Sequence, residues 1–256
     1  MFEGEQHLSR SRGAKAQRRQ AQQFQQQVVE NTINFRPQAA PKPKPPELRP
    51  KSLGQERLVL SLLDDDTVIT VAVGPAGTGK SYLAMLAAIR ALRSGDCERI
   101  VLTRPAVGVD NEKHGFLPGD LNAKMEPWTR PLLDILREFY HPRDIARMLE
   151  DQTIEISPLA FMRGRTFKNA WIVADEMQNA TPSQMKMLLT RLGEGSRIAV
   201  TGDVEQTDRS SANNGLLDLA VRLQKQGIPG LDVCHLGSRD IQRHAMIGPI
   251  LELYQD

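Results

Sequence analysis

The sequence predicts an α/β fold, with one parallel sheet covered by helices on both faces. Two observations carry this. From about Leu53 onward, short β-branched runs alternate with longer stretches of helical spacing. The runs are also near-continuously apolar, as strands buried on both faces must be. Six runs qualify as strands: "TVITVAV" (67–73), "RIVLT" (99–103), "TIEIS" (153–157), "WIVAD" (171–175), "RIAVTG" (197–202) and "LDVCHL" (231–236). Helical patterns cover 81–93, 127–140, 142–150, 183–192, 215–225 and 243–254. No internal repeat interrupts the alternation, so one domain is the economical reading.

Composition narrows the class. The chain has 256 residues, 40% hydrophobic and 25% charged, as in a soluble globular protein. No apolar run approaches the ~20 residues that span a bilayer, and "MFEGEQHLSR" lacks the apolar stretch of a secretory signal. A cytoplasmic location is expected. Cys97 and Cys234 are too few and too scattered for a disulfide framework or a zinc site.

The net charge of +2 hides an asymmetry, because residues 1–51 hold ten Lys/Arg against four Glu. This segment is Gln-rich ("QRRQAQQFQQQ") and then Pro-rich ("PQAAPKPKPPELRP"). It has too little apolar surface to fold alone, and its proline part is expected to be extended. A short amphipathic helix over 14–31 is one option. A basic tail attracts phosphate backbones, and it serves equally as a solubilising leader.

The chemistry is concentrated in three motifs. "GPAGTGKS" fits G-x-x-x-x-G-K-[ST] and lies between a predicted strand and a predicted helix. Its glycines let backbone N–H groups turn inward and cradle phosphates at a helix N-terminus. Lys80 then reaches the β- and γ-phosphates, and the Ser81 hydroxyl ligates Mg²⁺. Gly74, Pro75, Ala76, Gly77, Thr78, Gly79, Lys80, Ser81 and the following Tyr82 form the expected nucleotide-binding set. The second motif is "WIVADEMQNA", an apolar strand ending on two acids. In P-loop proteins an acid at the end of a neighbouring strand holds the Mg²⁺ shell, a role that fits Asp175. Glu176, next at the tip, is placed to deprotonate an attacking water. The third is "VTGDVEQTD", where Asp203 and Gln206 fall at the carboxyl edge of the sheet, where open α/β sheets bind ligands. Gln206 can bond the γ-phosphate or the water. The expected cofactors are ATP and Mg²⁺.

Together these residues resemble the PhoH family of P-loop ATPases, related to the first motor domain of superfamily 1 helicases. The resemblance runs from about Leu53 to Tyr254 through "GPAGTGKSYLA", "VLTRPAV", "GFLPGDLNAKMEPWTRPLLD", "SPLAFMRGRTFKNAWIVADEMQNAT", "QMKMLLTRLG" and "VTGDVEQTD". It implies a RecA-like P-loop NTPase fold with a single motor domain. It also implies that Gln55 reads adenine, and that Thr103 and Arg104 touch a nucleic-acid backbone. Arg163, Arg165 and Arg243 are implied as candidates for stabilising γ-phosphate charge, within one subunit or from a neighbour; each has surface salt bridging as its plain alternative. Two places depart from the family. Met177 stands in "DEMQ" where Ala is usual and is expected to pack beneath the site, and residues 209–215 read "RSSANNG".

Residues 106–150 are too long for an ordinary connection. Lys124, Trp128 and Arg130 there suit a single-stranded nucleic acid. Alternatively, Trp128, Leu132, Leu133 and Leu136 pack on the core at helical spacing. The expected activity is ATP hydrolysis coupled to RNA or single-stranded nucleic acid. The competing reading is a nucleotide-gated scaffold that recruits an RNA-processing nuclease without unwinding. About 50 residues follow "GDVEQ", so a neighbouring copy is expected to complete the site. The resemblance points to a homo-oligomer, a hexameric ring.

Overall fold

The computed structural model describes residues 44–105, 121–206 and 213–243 together with residues 23 and 246; over 121–128 it describes the backbone alone. The chain divides into two units, Met1–Pro43 and Lys44–Asp256, and the description below is of the second. The helix expected over 14–31 and most of the one expected over 243–254 lie outside the described residues.

The second unit opens with helix α1 (Leu53–Leu63), for which Ser52 is the N-cap, its hydroxyl accepting from the Gln55 N–H. This helix was not among the expected patterns. Strand β1 (Ile69–Val73), helix α2 (Lys80–Ser94) and strand β2 (Arg99–Thr103) follow. Helices α3 (Leu121–Arg137) and α4 (Pro142–Glu150) precede strand β3 (Ile154–Ile156). A 3-10 turn at Leu159–Met162 leads towards strand β4 (Ala170–Ala174), and another at Met177–Asn179 follows it. Helix α5 (Pro182–Leu189), strand β5 (Arg197–Gly202), helix α6 (Gly215–Lys225) and strand β6 (Leu231–His235) complete the unit. All six expected strands form.

The six strands make one parallel sheet in the order β3-β2-β4-β5-β1-β6. Alternate residues supply the two faces, as a strand's period of two demands. Ile100, Leu102, Trp171 and Val173 join Leu58, Met85, Ile89, Leu132 and Leu136 under α1–α4. Val101, Ile172, Ile198 and Val200 join Met162, Phe167, Met185, Leu188 and Leu216 on the opposite face. The burial of Leu132, Leu133 and Leu136 satisfies the core reading for those three leucines.

The order corrects one detail. The strand ending in the acid pair does not adjoin the P-loop strand, because β5 lies between β4 and β1. That arrangement brings the carboxyl end of β5 into the site. A second correction concerns the stretch before α1, grouped by composition with the tail. Pro46 is buried, Leu48 packs on the core, and Arg93 donates to the Lys44 carbonyl at 2.8 Å. The Arg93 guanidinium also lies 4.6 Å from the Tyr140 ring centre, so it clips this stretch to the turn after α3.

Candidate nucleotide site

The site is built where β1, β4 and β5 end. Between β1 and α2 the loop needs a left-handed backbone at Gly77 (φ 84°) and Gly79 (φ 81°), a conformation in which a side chain is strained. An added Cβ at Gly77 would also lie 2.4 Å from Arg243 Nε, so the arginine side chain would have to move aside. Gly79 is the N-cap of α2 and offers no side-chain cap. The first N–H groups of a 15-residue helix therefore lack a side-chain acceptor at the cap position.

Lys80 is folded back on this loop. Its ammonium donates to the Gly74 carbonyl at 2.6 Å and the Pro75 carbonyl at 2.7 Å. Burial pushes its pKa below the ordinary lysine value, while Asp203, Glu176 and Asp175 pull the other way. The ammonium also donates to the Thr78 hydroxyl at 3.3 Å, and a desolvated ammonium held by such neutral dipoles is well prepared to exchange them for phosphate oxygens.

Asp175, 1% exposed, is surrounded by donors. Ser81 Oγ donates to its Oδ1 at 2.5 Å, and the Thr201 hydroxyl donates to the same oxygen. Arg104 donates through Nε to Oδ2 at 2.9 Å and again through Nη2. Breaking such a buried pair costs about 3–5 kcal/mol. Its neighbour Glu176 differs in every respect: it is exposed, with a left-handed backbone at φ 56°. Gln178 Nε2 donates to Glu176 Oε2 at 2.6 Å, and Gln178 Oε1 accepts from the Asp203 N–H at 3.1 Å. Gln178 thus ties the exposed acid to the end of β5. Asp203 in turn accepts from the Ala76 N–H at 3.1 Å, which joins that end to the P-loop.

The result is a cleft of about 300 Å³ lined by residues that include Gly79, Lys80, Ser81, Asp175, Glu176 and Gln206. Tyr82 also lines it, its hydroxyl donating to Glu138 at 3.0 Å. Ser81 and Asp175 suit a hydrated Mg²⁺: a hydroxyl that donates to a carboxylate keeps its lone pairs for a hard cation. Arg243 also belongs here, because the Gln242 N–H donates to the Gly77 carbonyl at 2.8 Å and the Arg243 side chain covers Gly77. Met177 is fully buried beneath the site, as expected.

Other expected residues are placed differently. Gln55 is 4% exposed, with Nε2 donating to the Thr78 carbonyl at 2.9 Å and Oε1 accepting from the Lys51 N–H at 2.8 Å. It braces the P-loop from below rather than presenting a free amide edge to a base. Thr103 is 1% exposed and so offers nothing to a nucleic-acid backbone. Arg104 is spent on Asp175. Arg165 grips Glu155 with both terminal nitrogens and lies 4.5 Å from the Phe167 ring centre. It holds the β3 edge and does not line the cleft, nor does the exposed Arg163. Arg130 is exposed on α3, whereas the side chains of Lys124 and Trp128 lie outside the described residues.

Thr201 was not among the residues the sequence singled out, although a hydroxyl just before "GD" at a strand end was a usable signal. Phe161 was missed too. It is 60% exposed on the turn after β3.

The sequence profile of the PhoH-like protein family matches residues 47–255. The chain belongs to the PhoH-like family. It is 45% identical over 208 residues to a PhoH-like protein of Synechocystis, covering 81% of this chain and 62% of the relative. Identity to a PhoH-like protein of Bacillus subtilis is also 45%, over 207 residues, covering 81% and 64%. Protein PhoH of Escherichia coli is 39% identical over 186 residues, covering 72% and 52%. The chain thus spans between half and two-thirds of the length of these relatives. Among the described residues, no helix is long and apolar enough to cross a membrane.

Proposed function

We propose that this PhoH-like domain binds ATP with Mg²⁺ in the carboxyl-edge cleft and hydrolyses it, and that turnover is coupled to RNA or another single-stranded nucleic acid. One observation carries the first part. A buried acid bonded to the P-loop serine stands beside an exposed acid held by its own glutamine. This is a division between holding a cation and handling a proton.

On nucleotide binding, Lys80 leaves the Gly74 and Pro75 carbonyls for phosphate oxygens, and Ser81 with Asp175 would hold the cation. A bound Mg²⁺ would supply charge neutralisation for the phosphates. Glu176 accepts a proton from water as the water oxygen bonds to the γ-phosphorus. The bond from that phosphorus to the bridging oxygen breaks, and ADP leaves with the electron pair. Gln178 keeps Glu176 aimed, and Gln206 orients the water or the γ-phosphate. Arg243 offsets charge from the same subunit. Arg163, exposed and outside the cleft, is the candidate to act on a neighbouring subunit in a hexameric ring.

Support for the nucleic-acid part lies on the turn after β3. Phe161 is exposed there, while Leu159 and Met162 anchor the turn at 1% and 0% exposure. No acid occurs between Glu155 and Asp175, whereas Arg163 and Lys168 do, beside the Arg165 that is paired with Glu155. A ring on a rigid turn with cations nearby suits stacking on an unpaired base. The test is ATP turnover with and without single-stranded RNA and DNA, on protein of known oligomeric state. Stimulation that Phe161→Ala removes is the expected result. Nucleotide-dependent binding without stimulation would favour a switch that recruits a partner such as a nuclease. Loss of neither turnover nor stimulation in Phe161→Ala would remove that face from the account.

A further inference from the structure

Resting on that reading of the cleft, we infer that Arg104 is a positioning residue that occupies Asp175 as an internal counter-ion and must release it before the acid can serve a divalent cation. The placement is specific. Arg104 directly follows β2, and β2 adjoins β4 in the sheet. Register thus sets the arginine beside the acid that follows β4. The Asp175 N–H donates to the Thr103 carbonyl at 3.0 Å, fixing the two strand ends.

The two carboxylate oxygens are divided. Oδ1 accepts from Ser81 and Thr201, while Oδ2 takes both bonds from Arg104. The Arg104 and Asp175 side chains are 15% and 2% exposed, so the pair is poorly screened by solvent. Without a cation, a carboxylate this buried needs a positive partner. When a cation is bound, a guanidinium on the same acid is redundant and repelled by it. Arg104 and the cation therefore compete for one carboxylate, and the arginine raises the Mg²⁺ concentration the site requires.

The competition has an outward consequence. The Arg104 carbonyl accepts from the Leu159 N–H at 3.4 Å, and Leu159 opens the turn that carries Phe161 and Arg163. The Arg104 backbone is thus joined by one hydrogen bond to the turn that carries the exposed ring.

The test is a Mg²⁺ titration of fluorescent-ADP binding by the full chain, for wild type, Arg104→Gln and Arg104→Lys. Removing charge-assisted bonds from the competitor should lower the half-saturating Mg²⁺ of Arg104→Gln by about tenfold. Arg104→Lys, which keeps the charge but loses the two-pronged grip, should fall between. Thermal melts should show Arg104→Gln destabilised without metal and stabilised more than wild type by Mg²⁺ with ADP. A merely structural arginine would not tighten metal use when removed. An unchanged or raised half-saturating Mg²⁺ in both variants, with ADP still bound, overturns the role of Arg104 alone. Failure of wild type to bind ADP at any Mg²⁺ concentration overturns the nucleotide reading itself.

Discussion

The two edges of the same sheet invite comparison. At the amino edge lies a cavity of about 500 Å³, larger than the nucleotide cleft, lined by residues that include Leu62, Ala87, Cys97, Trp171 and Arg197. Its Arg197 is already engaged, pairing with Asp65 at 3.1 Å and lying 5.6 Å from the Trp171 ring centre. Burial pushes the Cys97 thiol up to about 12, so it is protonated and unreactive at neutral pH. At the carboxyl edge the cleft is smaller, yet it holds a desolvated ammonium, a buried acid with three side-chain partners and an exposed acid with a dedicated amide. Cavity size does not locate the chemistry. What distinguishes the carboxyl edge is charge kept in reserve by bonds that a ligand can replace.

Substitutions should therefore divide by edge. The largest effect is expected for Lys80→Ala, which removes the cation that trades two carbonyls for phosphate. At about 1.5–3 kcal/mol per charge-assisted bond, ATP affinity should fall by at least a hundredfold, measured by calorimetry. Folding stability should change little, since a costly desolvation disappears as well. Gln178→Leu comes next. It frees Glu176 and leaves the Asp203 N–H without its acceptor, so kcat should drop by about tenfold with KM little altered.

A third prediction concerns protons. The folded-state pKa of Lys80 is depressed below its unfolded value of 10.5. Between these two values the unfolded chain binds more protons, so stability rises with pH through that alkaline window as the penalty of burying the charge is relieved. Phosphate contact restores the proton. ATP binding in alkaline buffer should accordingly take up protons, seen as a calorimetric enthalpy that varies with the buffer's ionisation enthalpy, and should weaken as pH rises. The smallest effect belongs to the other edge. Cys97→Ala should cost about 1 kcal/mol in a denaturant melt and leave turnover untouched; a loss of activity there would break the contrast between the edges.

The division also explains what could be read from sequence. The inner strands β1, β2, β4 and β5 were legible because each is buried on both faces and so reads as an apolar run, whereas the edge strand β6 leaves Asp232 and His235 exposed. The P-loop and acid pair were legible because their parts are contiguous in sequence. Helix α1 was obscured by Gly54 and the proline-rich stretch before it, although Ser52 three residues ahead of Gln55 was a usable capping signal. The partners of Asp175 were not legible. Arg104 is 71 residues away and Thr201 is 26, and both meet it only because β2 and β5 flank β4. For the same reason Gln55, Thr103 and Arg165 looked accessible in sequence but proved engaged or buried. Gln178 gains its meaning only when β5 places the Asp203 N–H within reach.

The central claim is that the two adjacent acids do different work, with Asp175 for the cation and Glu176 for the water. Single-turnover ATP hydrolysis by Glu176→Gln, alongside its ATP affinity, tests it most directly. The account predicts affinity close to wild type and hydrolysis slowed by about 10²–10⁴-fold, the usual worth of a general base. Hydrolysis at the wild-type rate with ATP fully bound would contradict it.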